Sequence, residues 1–125
     1  MRTLCLLISV FAMSTAVQAA TSRLLVTTQL VSSFPLLRTL ELPMVAEVSE
    51  LTIKVDGDQL TMEKVEILSR WPFFDDLGDA LTGVYDVGTE KSMDLGQVVP
   101  IRKIRLHMHK SSAADSLVVV EVWGK

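Results

Sequence analysis

Apolar and polar side chains alternate along much of this 125-residue chain, and no other feature of the sequence constrains the fold as strongly. The pattern is clearest in the segment EVSELTIKV (residues 47–55), where Leu51, Ile53 and Val55 are separated by single polar residues. Successive side chains of a β-strand point to opposite faces of its sheet. The segment is therefore predicted to be a strand with one face in a core and the other face in solvent.

The same reasoning predicts about eight strands and no helix, because no stretch combines a helical period with proper caps. Turn residues separate the strands at short, even intervals. This arrangement predicts an all-β fold, an antiparallel β-sandwich or jelly roll, with a small closed barrel as the alternative. The predicted strands are residues 24–30, 37–42, 47–55, 60–68, 82–87, 91–95, 99–108 and 117–123.

Two local signals give finer predictions. The Asp-Gly pair at residues 56–57 is typical of a hairpin turn, so the strand that follows is expected to return antiparallel to the one before. Within LTMEKVEIL (residues 60–68) the apolar residues change parity after Met62. A change of parity indicates one extra residue in the strand, so we expect a β-bulge near Glu63 and Lys64.

The longest irregular stretch is expected at residues 69–81 (SRWPFFDDLGDAL), between two groups of strands. The last strand, LVVVEVW at residues 117–123, is apolar at both odd and even positions. A strand that is apolar on both faces is typical of a central position that is covered on both sides.

The N-terminus has the pattern of an export signal. Arg2 supplies a positive charge, Leu4–Met13 is a short apolar run, and Ser14–Ala19 is rich in small residues. This pattern predicts a cleavable signal peptide at residues 1–19 and a single β-sandwich domain at residues 20–125. The protein is therefore expected in the periplasm or as a secreted protein. Neither the apolar run nor any later segment has the length of a membrane span.

Cysteine content and charge exclude several classes of function. Cys5 is the only cysteine, and it lies near the start of the apolar run, which is not the position of a lipidated cysteine. The mature chain is then expected to lack disulfides, cysteine nucleophiles and cysteine metal sites. The net charge of −3 gives no broad basic surface, so nucleic acid is not an expected partner.

The order of motifs from residue 48 onward carries a resemblance. The segments are LTIKV, LTMEKVEIL, GVYDVG, SMDLG, IRKIRLHMH and LVVVEVWGK. In this order they resemble small exported bacterial β-sandwich proteins of an uncharacterised enterobacterial type. The final two segments also resemble the end of galactose-binding-like jelly rolls at the level of the fold. The resemblance implies a fold and export, and it implies no activity.

The strongest candidate for a ligand surface is the aromatic segment Arg70, Trp71, Phe73 and Phe74 around a proline. Aromatic faces stack on sugars and on apolar parts of ligands, and a neighbouring arginine can fix their orientation. The alternative, which we favour from the sequence, is a hydrophobic plug in which the rings close one end of the sandwich.

Metal binding has two candidate sets. His107 and His109 are two residues apart on a strand and therefore share a face, a spacing that can hold one metal ion. The loop carboxylates Asp75, Asp76 and Asp79 could bind Ca²⁺, although their spacing is not that of a standard calcium loop. For both sets we favour solvated surface residues, so no cofactor is expected.

No catalytic motif is present: the chain has neither a G-x-S-x-G segment nor a glycine-rich phosphate loop. The sequence therefore favours a non-enzymatic binding or structural protein of the cell envelope, with an envelope protein or a glycan as its partner. A carbohydrate- or small-ligand-binding module using Arg70–Phe74 is the first alternative, and a metal-dependent enzyme is the second. The oligomeric state is left open.

Overall fold

The structure, a computed structural model, describes residues 21–31, 34–70, 72–111 and 115–125. The predicted signal peptide and Trp71 lie outside these residues. Within the described ranges no helix has the length and apolarity that crossing a membrane requires. The described strands are β1 (Arg23–Leu30), β2 (Leu36–Asp56), β3 (Leu60–Arg70), β4 (Phe73–Asp76), β5 (Gly83–Tyr85), β6 (Thr89–Lys110) and β7 (Val118–Gly124).

All strand pairs are antiparallel, and the strands follow the order β1-β7-β2-β6-β3-β4 across a seven-stranded sheet. Strand β5 lies off this path and pairs with the first residues of β3. The prediction of an all-β, antiparallel fold is confirmed.

Strands β2 and β6 each join two segments that the sequence predicted as separate strands. The strand predicted at residues 37–42 stops before Pro43, because proline cannot donate a hydrogen bond to a ladder. The structure instead continues β2 through Pro43 with a shift of register between Glu41 and Ala46. A bulge of this kind lets a strand bend and accept a proline without ending.

The two long strands pair with each other along both halves, and each has a second neighbour along one part only. Residues Leu51–Asp56 of β2 pair with β7, whereas residues Lys103–Lys110 of β6 pair with β3. Because β6 lies between β2 and β3, these two strands are not adjacent, and the predicted hairpin at residues 56–59 is wrong. The Asp-Gly turn instead carries the chain from one part of the sheet to another.

The predicted bulge in β3 is confirmed. Its register against β6 shifts between Met62 and Lys64. Leu60 and Met62 before the shift, and Val65 and Ile67 after it, are all buried. The extra residue therefore keeps both halves of β3 directed into the core despite the change of parity.

One apolar cluster receives side chains from all seven strands or from the turns beside them. Strand β7 lies between β1 and β2, which confirms its central position, but its burial alternates. Val118, Val120 and Val122 are buried and the residues between them are half-buried, so the prediction of cover on both faces is wrong. The intervening side chains include Glu121 and Trp123, which face an open surface.

The segment predicted as irregular contains strand β4, which forms an edge beside β3. After β4 the chain returns to the core, where Leu81 and Tyr85 are fully buried. The Tyr85 hydroxyl donates a 2.5 Å hydrogen bond to the Leu81 carbonyl oxygen. This buried bond fixes the end of the turn and therefore the course of the chain beyond β4.

Candidate functional site

Polar side chains from two neighbouring strands meet on the outer face of β3 and β6. The Glu66 carboxylate of β3 is the centre of this group, and Glu66 lies directly opposite Arg105 in the register. Its Oε1 atom is 2.8 Å from His107 Nε2 and 3.6 Å from Arg105 Nη1, and its Oε2 atom is 3.7 Å from Lys64 Nζ. We call Lys64, Glu66, Arg105 and His107 the Glu66 cluster.

Glu66 is nearly buried, with 8% of its surface exposed. Burial raises the pKa of Glu66, but the hydrogen bond from His107 and the positive charges of Lys64 and Arg105 lower it by more. The net result is a pKa below the ordinary value of 4.5. Glu66 is therefore a carboxylate at neutral pH whose charge its neighbours already compensate.

Strand β4 supplies two further contacts to the Glu66 cluster. The Arg105 guanidinium lies 3.7 Å from the centre of the Phe74 ring, a cation–π contact. Asp76 Oδ2 is 3.9 Å from Lys64 Nζ. Phe74, which the sequence suggested as a ligand-binding ring, therefore has one face covered by an arginine of a nearby strand.

The two histidines share a face but do not share a ligand set. His107 contacts Glu66, whereas His109 Nδ1 lies 3.0 Å from Glu63 Oε2. The second contact has the distance of an ion pair without the geometry of a hydrogen bond. In the part of the chain that the structure describes, no three histidine, cysteine or acidic side chains are placed to hold one metal ion.

The three loop carboxylates have separate roles. Asp76 Oδ1 accepts a 2.8 Å hydrogen bond from the Gly78 amide, and the Asp79 carbonyl oxygen accepts one of 3.2 Å from the Thr82 amide. The first is the local bond by which an aspartate side chain stabilises a turn, whereas the second uses only a backbone atom of Asp79. Asp75 instead lines a groove beside β4, so the structure does not gather the three around a common centre.

This groove, which we call the β4 groove, has a volume of about 560 Å³. It lies between β3 and β4 on one side and the middle of β6 on the other. Arg70 and Asp75 supply charge at one wall, with Ser69 and Gln97 as uncharged polar groups. The remaining lining is apolar and consists of Ile67, Leu77, Met93, Leu95, Val98, Val99 and Pro100.

Phe73 is 68% exposed and stands next to the groove, opposite Arg70 in the register of β3 and β4. The plug interpretation therefore does not describe Phe73, since its ring closes no part of the core. Phe74 is half-buried. The structure thus separates the two phenylalanines, one against Arg105 and one exposed beside Arg70.

A second groove of about 580 Å³ lies on the outer face of β2 and β7. Its polar residues already contact one another. Lys54 Nζ is 3.9 Å from Glu90 and 4.6 Å from the centre of the Trp123 ring, and Trp123 Nε1 donates a 3.0 Å hydrogen bond to Glu121. Arg70 and Asp75, by contrast, take part in no ion pair among the described residues, so the β4 groove has charged groups to offer a ligand.

Sequence reasoning found Arg70 and Asp75 but missed the residues that surround them. Glu66 and Lys64 carried one usable signal, because the predicted bulge brings both to the outer face of β3. No sequence signal placed the residues of the opposite wall, Met93, Leu95 and Val99, in the groove. Their approach to β4 depends on the course of β6. Trp71 lies outside the residues that the structure describes.

In comparisons with known proteins, no family model matches the chain and no curated protein matches it significantly. The functional assignment therefore rests on the residues of this chain alone.

Proposed function

We propose that this protein is an exported, non-enzymatic binding protein of the cell envelope, and that its ligand occupies the β4 groove. One observation carries the proposal: a groove about 560 Å³ in volume, lined by apolar side chains from β3, β6 and the turn after β4, has Arg70 and Asp75 in its wall, and neither forms an ion pair within the described residues. Ligand sites in proteins are typically of this size, mostly apolar, and equipped with a few polar groups that orient the ligand.

We further propose that the sheet folds over itself as an antiparallel sandwich. Strands β2 and β6 are 21 and 22 residues long, and each has a second neighbouring strand along only part of its length. The connection at residues 56–59 joins strands that do not pair, as a link between two layers would. In a sandwich of this kind the β4 groove lies at an open corner, between the β4 side of one layer and the β6 edge of the other.

Export is supported by the charged, apolar and small-residue segments at residues 1–19. The test is mass spectrometry of the protein purified from fractionated cells. We expect a mature chain that begins near Ala20 in the periplasmic or secreted fraction. An intact precursor that stays in the cytoplasm would contradict this part of the proposal.

Ligand binding is tested by photo-crosslinking in the living cell. Val98 lines the groove and is 63% exposed, whereas Val84 on β5 is 53% exposed and does not line it. A photoreactive residue at position 98 is expected to form an adduct with an envelope component, and the same residue at position 84 is not. Equal labelling at both positions would overturn the groove as the binding site.

A carbohydrate-binding module is the second candidate, and the exposed ring of Phe73 beside Arg70 favours it. Exposed aromatic rings next to a charged group stack on sugar faces. Binding to a glycan panel, measured by calorimetry, is expected to weaken at least tenfold in Phe73→Ala. Phe34→Ala is the matched control, since Phe34 is also largely exposed but lies outside β4. The candidate fails if no glycan binds or if both variants bind alike.

A further inference from the structure

One edge of strand β6 borders the β4 groove and lacks a neighbouring strand. Residues Lys91–Asp94 pair with β2 on one side only, because the pairing of β6 with β3 begins at Lys103. Within the described residues no other backbone hydrogen bond reaches positions 90–95. Unpaired amide and carbonyl groups along such an edge are a template for another strand.

Half-buried and exposed side chains alternate along this edge, and this alternation defines the kind of strand that could pair with it. Lys91, Met93 and Leu95 are half-buried, and Met93 and Leu95 line the groove. The residues between them, Glu90, Ser92 and Asp94, are exposed on the other face. A strand added here would direct every second side chain into the apolar groove and the others towards Glu90 and Asp94.

We infer that the occupant of the β4 groove is an extended segment of a partner polypeptide that adds to β6 as a further strand along residues 90–95. The segment has apolar side chains at alternate positions and Lys or Arg at the positions between them. This inference rests on the proposed binding function of the groove and specifies the chemistry of its ligand.

Charge complementarity supports the basic positions. Asp94 lies directly opposite the like charge of Glu50, whose nearest cation is Lys125 Nζ at 3.5 Å. Among the ion pairs of the described residues, Glu90 takes part in the one with Lys54 alone, at 3.9 Å, and both side chains are about half exposed. An exposed pair of this kind is weak, so a basic residue of an added strand has two acidic neighbours available.

The edge strand at the other end of the sheet is less open. Arg38 of β2 donates hydrogen bonds of 2.8 Å to Thr28 Oγ1 and 3.0 Å to the Gln29 carbonyl oxygen, both in β1. One backbone acceptor of β1 is therefore occupied by a side chain. No described side chain forms such a bond to the backbone of residues 90–95. Strand addition, in which main-chain bonds give affinity and pockets for alternate side chains give specificity, is therefore favoured at β6 over β1.

The test uses the acetylated and amidated heptapeptide Lys-Val-Lys-Val-Lys-Val-Lys, titrated into the folded protein at physiological salt. Chemical-shift perturbation and amide hydrogen exchange are followed by NMR. We expect the largest shifts, and new exchange protection, at residues 90–95. A peptide with proline in place of the central valine removes a main-chain donor, and a scrambled peptide keeps the charge and loses the alternation. Both are expected to bind at least tenfold more weakly.

Two exposed charge reversals supply the matched variants. Asp94→Lys is expected to weaken binding of the heptapeptide about fivefold, because it replaces a favourable cross-strand pair by a repulsive one. Glu41→Lys makes the same change in net charge on β2, opposite Lys103 and outside the segment 90–95, and is expected to leave the affinity unchanged. An equal loss of affinity in both variants would show that the heptapeptide responds only to the net charge of the protein, and this would overturn the inference.

The outcomes separate this inference from the proposed function. If the heptapeptide fails to bind, or binds as well when it contains proline, strand addition is overturned whether or not crosslinking at Val98 succeeds. If Val98 and Val84 are labelled alike, the groove is not the binding site, and strand addition there loses its basis. Protection at residues 90–95 that Asp94→Lys weakens and Glu41→Lys does not supports the inference.

Discussion

His107 Nε2 lies 2.8 Å from Glu66 Oε1, across two neighbouring strands of the sheet. Because Glu66 is 8% exposed, this hydrogen bond joins a nearly buried carboxylate to the imidazole ring that best compensates it. Arg105 and Lys64 complete the compensation from two further directions. The arrangement links β3 to β6 and makes the contribution of Glu66 to stability depend on its charge.

We expect Glu66→Gln to reduce the free energy of unfolding by about 1–2 kcal/mol at pH 7, since it removes a charged hydrogen-bond acceptor. The pKa of Glu66 is lower in the folded protein than its ordinary 4.5. The unfolded chain therefore binds the proton more readily. The stability due to the charge is present above the ordinary pKa of 4.5 and is lost as the pH falls through the folded pKa. Urea unfolding between about pH 7 and pH 3 measures this loss.

Glu63→Gln is the control for this prediction. The Glu63 side chain is 49% exposed and contacts only His109 among the described ion pairs, so its replacement is expected to change the free energy of unfolding by less than about 0.5 kcal/mol. If the difference in free energy of unfolding between wild type and Glu66→Gln stayed constant down to about pH 3, the effect could not be assigned to the carboxylate charge.

Most strand positions could be predicted from the sequence because hydrophobic alternation is a local signal. The bulge in β3 was predictable for the same reason, since a strand whose apolar parity changes after Met62 needs an extra residue to keep both halves in the core. Strand neighbours were not predictable in this way. An Asp-Gly turn is compatible with a hairpin and with a connection between strands that do not pair, and only the position of β6 between β2 and β3 distinguishes the two.

For the candidate sites, too, local features could be predicted from the sequence, and contacts that depend on strand pairing could not. Arg70 and Asp75 stood out because charged and aromatic residues cluster around them in the sequence. The apolar wall opposite them comes largely from residues 93–100, well beyond β4 along the chain, and no sequence signal joins the two. Glu66 did not stand out in the sequence, because its contacts with Arg105 and His107 become visible only when β3 and β6 are paired.

Gly57 is expected to be essential for the crossing between β2 and β3. Its φ angle is +93°, and a Cβ atom added there would collide with the backbone carbonyl oxygen of Leu117. Gly78 has a φ angle of +77° with no atom near the added Cβ. In chemical denaturation, Gly78→Ala is expected to reduce the free energy of unfolding by about 1 kcal/mol, from backbone strain alone. Gly57→Ala is expected to reduce it by at least about 2 kcal/mol more. Equal losses would contradict the close approach.

Lys110 is expected to hold the residues before β7 through its charge. Its side chain is fully buried, and Nζ donates a 2.6 Å hydrogen bond to the Ser116 carbonyl oxygen and lies 3.9 Å from Asp58 Oδ2. Lys110→Met is expected to reduce the free energy of unfolding by about 3 kcal/mol, because it removes a fully buried cation from its ion pair with the partly exposed Asp58. Lys103→Met, on the same strand without an ion pair among the described residues, is the control.

A double variant separates the effect of the ion pair between Lys110 and Asp58 from the effect of the other contacts of Lys110. If an uncompensated Asp58 causes the loss, Asp58→Asn combined with Lys110→Met is expected to be more stable than the sum of the two single changes predicts. Thermal and urea unfolding of the four proteins measure this coupling. Strict additivity would show that the loss comes from the hydrogen bond of Lys110 to the Ser116 carbonyl oxygen and not from its ion pair with Asp58.

Tyr85 is the single tyrosine of the chain, which makes its ionisation directly visible by ultraviolet absorbance. Burial raises the pKa of Tyr85 far above its ordinary value of 10.0, because the phenolate would be desolvated in the core. The folded state thus holds this proton more tightly than the unfolded chain does. The resulting stability is complete below about pH 10 and falls as the pH rises further. In an alkaline titration, we expect the absorbance change to coincide with the loss of the β-sheet circular dichroism signal. An absorbance change near the ordinary pKa with the dichroism intact would show that the ring is accessible in the folded protein.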